Sequence, residues 1–467
     1  MKKNIPLDTD AYKWTHPWQY PKGLDGIDTS AEARIGSLYD SIWFVGLQGI
    51  VEEYLSYPVT DADIDEAEED CISTMGYKQY FNREVWEKVR DIGYLPMEIK
   101  AIPEGLEIPK GVIPFKLKAT EPWFAKTVQS LETVLMHWWY PSAVCTRSGN
   151  IKKGIKPLFD KSCDFPGIMD FLVQDFGSRG TTCPEQSAWG GMAHLVHFQG
   201  SDNNTANKYI RDYYGFKGRA KSVWATEHSV AMAFGPGQGE LDYVNHQLDN
   251  APDDAIISVV GDTYDIINFT ENVVGSDEIR KKILARAGKF VVRPDSGDFW
   301  VIVPQLFEIL ERKFGYTLNT KGYKLLNKTG VLQGDKMEEE TIIGLYTLVV
   351  DELHLAAENL VVGSGGGLLQ VDLNRDTIAA AIKPNKITID GVRKNIQKNP
   401  KSQSSKKSKT GDLKTVRKDG IIQTISDIDT PDFDSYVDMM IPIWKDGKFI
   451  KKYIFPEVIA NAALSFV

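Results

Sequence analysis

An irregular α/β barrel with a discontinuous α+β outer domain is the fold this sequence predicts, and three observations predict it. Five short β-branched runs in the middle of the chain each end in a polar cluster rich in Gly, Arg or Asp. Helix-like stretches, Ser276 to Ala287 and Leu306 to Phe314 among them, alternate with those runs. On either side of this region the pattern changes to short alternating strands and turns. Apolar runs bounded by Gly and Pro read as buried parallel strands, and repeated β-then-α order implies right-handed crossovers. Functional side chains gathered where such strands end make the catalytic face of an α/β barrel.

Along the chain, residues 61 to 95 are acidic and helix-like. Met97 to Thr120 alternates through Ile99, Ala101, Val112, Pro114, Lys116 and Lys118, the grammar of a β-hairpin. Phe124, Val128, Leu131, Leu135 and Trp138 recur at helical spacing and predict a packed helix, with the aromatics as plain core. The five runs follow. Phe171-Leu172-Val173 runs into Gln174 to Gly180, and Ile256 to Val260 runs into Gly261 to Asp265. Phe290-Val291-Val292 meets Arg293-Pro294-Asp295-Ser296-Gly297, and Val331-Leu332 meets Gln333-Gly334-Asp335. Leu360-Val361-Val362 ends in Gly363-Ser364-Gly365-Gly366-Gly367. After Lys383, Met439 to Trp444 and Lys448 to Phe455 flank Asp446-Gly447, a strong hairpin turn. The expected division is therefore residues 1–145 plus 384–467 as the outer domain and 146–383 as the barrel.

Composition sets bounds on function. A chain of 467 residues exceeds the size at which one core usually keeps growing. A net charge of -10 argues against general nucleic-acid binding, and no apolar stretch approaches a membrane span. Four scattered cysteines without a CxxC pair indicate neither a zinc site nor a disulfide framework, and the absence of a signal-peptide pattern predicts a cytoplasmic protein. Against the acidic background, residues 383 to 418 hold twelve Lys or Arg and two acids. Such a segment reads either as a solvated mobile loop or as a cover for a polyanion.

The strand ends carry the chemistry. Successive glycines in Gly363 to Gly367 let backbone N–H groups approach phosphate oxygens, and a helix starting there would favour an anion. Asp262, Asp265, Asp295 and Asp335 follow three different strands and would converge around a barrel mouth, unless each is a separate cap. Arg179 and Arg293 among them argue for an anionic substrate. His228, in Thr226-Glu227-His228-Ser229, is flanked by small polar residues; a lone His of this kind is more often structural than catalytic.

At these residues the chain resembles the nicotinamide phosphoribosyltransferase family of type II phosphoribosyltransferases. The resemblance runs in order from Thr9-Asp10-Ala11-Tyr12-Lys13 through Gly46-Leu47-Gln48, Trp139-Tyr140-Pro141, Asp175 to Gly180 and Ala193 to Val196. It continues through Glu227-His228-Ser229 and the four later strand ends to Gln370. It implies transfer of a phosphoribosyl group from phosphoribosyl pyrophosphate to nicotinamide, in a homodimer with shared sites, with Mg²⁺ carried mainly on the pyrophosphate. It also implies ATP as a co-substrate that phosphorylates His228.

By the same resemblance, Phe176 and the partner subunit's Tyr12 would sandwich the pyridine ring, and Asp202 would accept the amide N–H. Arg293 would lie by the ring, Asp295, Gly334 and Asp335 would hold the ribose, and Asp262 would position the ribose or the Mg²⁺-pyrophosphate. Arg179, Gly366, Gly367 and the partner's Arg375 and Lys383 would take phosphate; Arg34, Lys398 and Lys406 fall on the pyrophosphate side, and Ser258 belongs to the substrate-binding set. Gln174, Ser178 and Ala381 depart from the family's usual His, Tyr and Ser, and a charged loop is shortened around Ile35 to Ile42. The rival readings are a nicotinate phosphoribosyltransferase, disfavoured by Asp202, a non-catalytic signalling scaffold, and a nucleotide-binding module whose basic loop contacts RNA. The last is disfavoured by the acidic charge and the lack of interleaved aromatics.

Overall fold

The computed structural model describes residues 3–402 and 406–466, so the middle of the serine-rich basic stretch lies outside the described residues. The chain divides into two compact units. One is Met1–Thr146 with Tyr209–Phe216 and Asp372–Val467; the other is Arg147–Lys208 with Lys217–Val371. Residues 372–383, expected with the barrel, are grouped with the first unit, because Ala380–Ile389 is one unbroken strand of its sheet.

The first unit is built on a seven-stranded antiparallel sheet. Its longest pairing, Leu24–Ala33 with Ala380–Ile389, ties together segments far apart in the chain. Met97–Ala101 shows the expected alternation of buried and half-buried positions and pairs with Phe115–Ala119 on one side and Ile441–Lys445 on the other. Asp446 and Gly447 both have positive φ (47° and 79°), as a two-residue hairpin turn requires. The strand after that turn is only Lys448–Phe449, and Phe455–Ala463 is helical.

The packed helix expected over 124–138 is instead a succession of short turns. They are Pro122–Phe124, Val128–Leu131, Glu132–Leu135 and Met136–Trp138. All five apolar residues of the predicted stripe are buried, so the pattern was core without being one helix. The reason lies in the carbonyls. Those of Gln129 and Ser130 accept from the Lys13 ammonium and the Thr9 hydroxyl, which draws them away from a continuous ladder.

The second unit is a curled parallel sheet around an apolar core. Its strand order is Val173–Asp175, Leu360–Ser364, Thr329–Gln333, Phe290–Arg293, Ile257–Val260 and Trp224–Ala225, every pairing parallel. Ile257–Val260 and Thr329–Gln333 are buried at every position, as non-alternating strands covered on both faces should be. Single-residue bridges continue the curl: Asp175 with Ser201, then Gly200 with Lys221, which is three residues before Trp224. The sheet thus comes round to its first strand as a barrel. Phe171 and Leu172 were expected in the first strand, but Pro166–Phe171 is a 3-10 turn and the strand starts at Val173. Among the described residues no helix is long and apolar enough to cross a membrane, and all four cysteines are free.

Candidate active site

The second unit holds a cavity of about 860 Å³ at the ends of its parallel strands. Eight of the residues singled out from sequence line it: Phe176, Arg179, Asp202, His228, Arg293, Asp295, Gly334 and Gly366. They come from separate loops, and each loop has its own local cause.

The loop after Val173–Asp175 turns on Asp175. Its carboxylate is fully buried, accepting from the Gly177 N–H (2.8 Å) and from Asn203 Nδ2 (3.0 Å). Burial pushes its pKa up to about 6, against those hydrogen bonds. The Phe176 N–H donates to the Ser364 carbonyl at 2.9 Å, and the Phe176 ring lies over Gly363. A β-carbon at Gly363 would stand 2.1 Å from that ring, so the glycine is a seat for the aromatic. Gln174, the departure from the family's His, is buried and donates to the Phe171 carbonyl at 2.8 Å.

His228 begins the helix His228–Phe234. Its Nε2 lies 2.9 Å from Asp262 Oδ1, and its Nδ1 is 3.9 Å from Asp295 Oδ2. The other oxygen of Asp262 accepts from the Asp295 N–H (3.2 Å) and the Ser296 hydroxyl (2.5 Å). Asp262 does not line the cavity; it sits beneath His228 and joins two strand-end loops through it. The His228 ring is thus held by a buried carboxylate while remaining part-exposed at the cavity wall.

The four acids have separated. Asp262 and Asp295 meet at His228, whereas Asp265 is a helix cap, accepting from the N–H groups of Ile267 and Asn268. Asp335 is outside the cavity lining, 3.8 Å from Lys336 Nζ. Among the described residues, the buried Arg293 Nε and the buried Ser258 hydroxyl have no hydrogen-bond partner. Such groups want a partner that the protein alone does not supply.

At the last strand end the expected helix is only Gly366–Leu369, too short to offer a macrodipole, so the backbone N–H groups themselves are what remains for an anion. Gly367 is hemmed in: a β-carbon there would lie 2.3 Å from the Met337 carbonyl, whereas at Gly366 it would meet nothing within 4 Å. The loop is anchored by Arg147, whose guanidinium donates to the carbonyls of Gly367 (2.6 Å) and Val371 (2.7 Å). Sequence reasoning missed Arg147, which lies in a helix without local signal. It also missed Ser222, whose hydroxyl donates to Asp202 Oδ1, and Asn203, which orients Asp175.

The remaining residues of the expected set belong to the first unit. Tyr12 is exposed, with its ring edge-on to His16. Arg375 pairs loosely with Asp376, and Lys383 pairs with Glu132. Arg34 lines a cavity of about 480 Å³ with Glu32, Lys407 and Lys409. Lys398 and Lys406 are exposed and flank it in sequence without lining it. A further cavity of about 380 Å³ lies on this unit's sheet, but its Lys116 and Arg393 are already paired with Asp438, Asp28 and Asp412.

Residues 171–430 match the model of the nicotinate phosphoribosyltransferase (NAPRTase) family, and residues 4–99 match the N-terminal domain of nicotinamide phosphoribosyltransferase. A protein of Xanthomonas campestris pv. campestris named nicotinamide phosphoribosyltransferase is 34% identical over 466 residues, 98% of each chain. One of that name from Acinetobacter baylyi is 30% identical, over 88% of each chain. In fold, the chain resembles crystal structures of nicotinate-nucleotide pyrophosphorylase from Pyrococcus furiosus and of human nicotinic acid phosphoribosyltransferase. The TM-scores are 0.61 and 0.58 at 12% and 15% identity, covering 99% and 98% of this chain and 95% and 93% of those chains. With the family model covering more than half of its length, this chain is a phosphoribosyltransferase of the nicotinate phosphoribosyltransferase family.

Proposed function

We propose that the chain transfers the phosphoribosyl group of phosphoribosyl pyrophosphate to nicotinamide, giving nicotinamide mononucleotide and pyrophosphate in NAD salvage. The observation that carries this is one cavity lined by an aromatic ring (Phe176), an acid (Asp202), two guanidinium groups (Arg179, Arg293) and a glycine cradle (Gly365, Gly366). The names of the full-length relatives support the same substrate.

In this reading the pyridine ring stacks on Phe176, worth about 1 kcal/mol beyond burial. Asp202 keeps one oxygen for the amide N–H while Ser222 occupies the other. A carboxylate there would repel the carboxylate of nicotinate. The ring nitrogen attacks C1′ with its lone pair, the C1′–O bond breaks, and pyrophosphate leaves with that electron pair. No proton moves, so no general base is required. Asp295, beside Gly334 in the cavity, supplies fixed negative charge near an oxocarbenium-like carbon, and Arg179 with the glycine N–H groups takes the 5′-phosphate. Asp335 and Gly367 extend the ribose and phosphate subsites, and Ser258 offers its unpartnered hydroxyl from behind.

Among the described residues no three His, Cys, Asp or Glu side chains group as metal ligands, so Mg²⁺ would enter on the pyrophosphate oxygens as part of the substrate and neutralise the leaving charge. Completion of the site falls to a second copy of the chain. In a homodimer, the partner subunit's Tyr12 would cover the other ring face and the partner's Arg375 and Lys383 would reach phosphate. By the same resemblance, Arg34, Lys398 and Lys406 would serve the pyrophosphate.

ATP coupling runs through His228. Donation from Nε2–H to Asp262 leaves the lone pair on Nδ1, which attacks the γ-phosphorus of ATP as ADP departs. The test offers the purified protein phosphoribosyl pyrophosphate with nicotinamide or nicotinate, with and without ATP. Product from nicotinamide, increased by ATP, is expected; product from nicotinate alone would sink the amide assignment.

A further inference from the structure

In the first unit, two lysines share one carboxylate. Glu132 Oε2 accepts from Lys13 Nζ at 2.9 Å and its Oε1 from Lys383 Nζ at 3.2 Å. The lysines are not equivalent. Lys13 is 4% exposed and donates also to the Gln129 carbonyl at 3.0 Å, so it is a fixed part of the interior. The Lys383 side chain is 38% exposed, and among the described residues its only other acceptor is the adjacent Ile382 carbonyl at 2.7 Å. Two ammonium groups against one carboxylate leave one positive charge in surplus, and only Lys383 can present it to an outside anion. Burial disfavours the charged form of Glu132, yet Lys383 and Lys13 together hold its carboxyl below the usual range. When Lys383 turns to a ligand, Lys13 remains to keep Glu132 ionised.

The same turn mounts a second residue of the proposed site. Thr9 donates to the Ser130 carbonyl at 2.9 Å, Thr133 donates to Asp10 at 3.0 Å, and Lys13 bonds Gln129 and Glu132. Three anchors therefore pin the segment Thr9 to Lys13 onto residues 129–133, and between them stands Tyr12, 58% exposed.

We infer that Glu132, backed by Lys13, is a positioning residue that holds Lys383 ready for the phosphate of phosphoribosyl pyrophosphate and mounts it together with Tyr12. This rests on the reading of Lys383 as a phosphate contact in the partner's site. Glu132 itself touches no substrate; it acts through Lys383.

The test is steady-state kinetics of the full-length protein bearing Glu132→Gln, Glu132→Asp, Lys383→Ala, and Glu132→Gln with Lys383→Ala, with thermal melts alongside. Losing the aim of one charge-assisted hydrogen bond should raise the KM for phosphoribosyl pyrophosphate roughly tenfold in Glu132→Gln, with kcat within about twofold. Glu132→Asp, which keeps the charge on a shorter arm, should recover part of that loss. In the Lys383→Ala background Glu132→Gln should add less than about twofold, since the residue through which it acts is gone. An unchanged KM in Glu132→Gln beside a raised KM in Lys383→Ala would overturn the positioning role while leaving Lys383 its contact. An unchanged KM in Lys383→Ala would remove the contact and the inference with it. Losses that multiply fully in the double variant, or that follow a lowered melting temperature across all parameters, would make Glu132 merely structural and overturn the proposal. Should Glu132→Gln not fold, Glu132→Asp against the Lys383→Ala background decides by the same comparison.

Discussion

The Phe176 ring occupies the place where a β-carbon of residue 363 would stand, its nearest atom 2.1 Å from that position. Gly363 belongs to the strand Leu360–Ser364, so the strand cannot yield and the ring must. Gly363→Ala is expected to displace the ring and raise the KM for nicotinamide about five- to tenfold, the worth of one aromatic stack, while the KM for phosphoribosyl pyrophosphate changes less. Substrate kinetics for the two ligands separately check this. An equal loss for both would mean that the whole loop had moved.

Asp202 makes a sharper claim. Its exposed carboxylate, tied on one oxygen by Ser222, lines the cavity together with Asp175, Glu227 and Asp295. Asp202→Asn should narrow the preference for nicotinamide over nicotinate by about tenfold or more, because the repulsion of like charges in a confined site disappears. Competition between the two rings for one pool of phosphoribosyl pyrophosphate measures it. An unchanged preference would put the selector elsewhere.

His228→Ala should abolish the gain from ATP and the accompanying ATP hydrolysis, while Asp262→Asn should weaken both by disturbing the ring nitrogen that donates to it. Product formation at saturating ring and phosphoribosyl pyrophosphate, with and without ATP, reads the difference. A His228→Ala protein that still gained fully from ATP would remove the phosphohistidine.

Three buried groups in the second unit set its acid response, and their signs oppose. Burial lowers the pKa of His194 to about 4 and drives that of His197 well down, so stability from neutral histidine is present above their ordinary 6.5 and is lost as pH falls towards 4. Burial raises the pKa of Asp175 to about 6, so its contribution is full below 3.8 and is lost as pH rises through 6. Asp175 therefore offsets about 3 kcal/mol of what His194 supplies across that window. Urea unfolding between pH 4 and 6.5 should show stability rising with pH, more steeply in Asp175→Asn and less steeply in His194→Gln.

The strand ends were readable because a buried parallel strand leaves a continuous apolar run, and the loop after it must change chemistry abruptly. That is why Phe176, Arg293 and Gly366 could be picked out before any fold was known. Asp265 shows the limit of such reading: a cap and a ligand look alike until hydrogen bonds are counted. The turns over 122–138 were illegible for a different reason, since the side chains that claim their carbonyls, Thr9 and Lys13, lie more than a hundred residues away. Arg147 and Ser222 left no periodic trace at all, because a single side chain bonding a distant loop has none. The division at residue 372 was hidden because the strand Ala380–Ile389 straddles the expected boundary and its partner, Leu24–Ala33, lies more than three hundred residues away.

The barrel's circuit is fastened unequally. Most of its staves share ladders of two to four residue pairs, but the passage from Asp175 through Ser201 and Gly200 to Lys221 relies on single pairs. Asp202 and Ser222 stand immediately beyond that seam. Thermal opening begins where local cooperativity is lowest. Under the proposed function, a weakened or warmed chain would therefore lose its choosiness between related rings before it lost its shape.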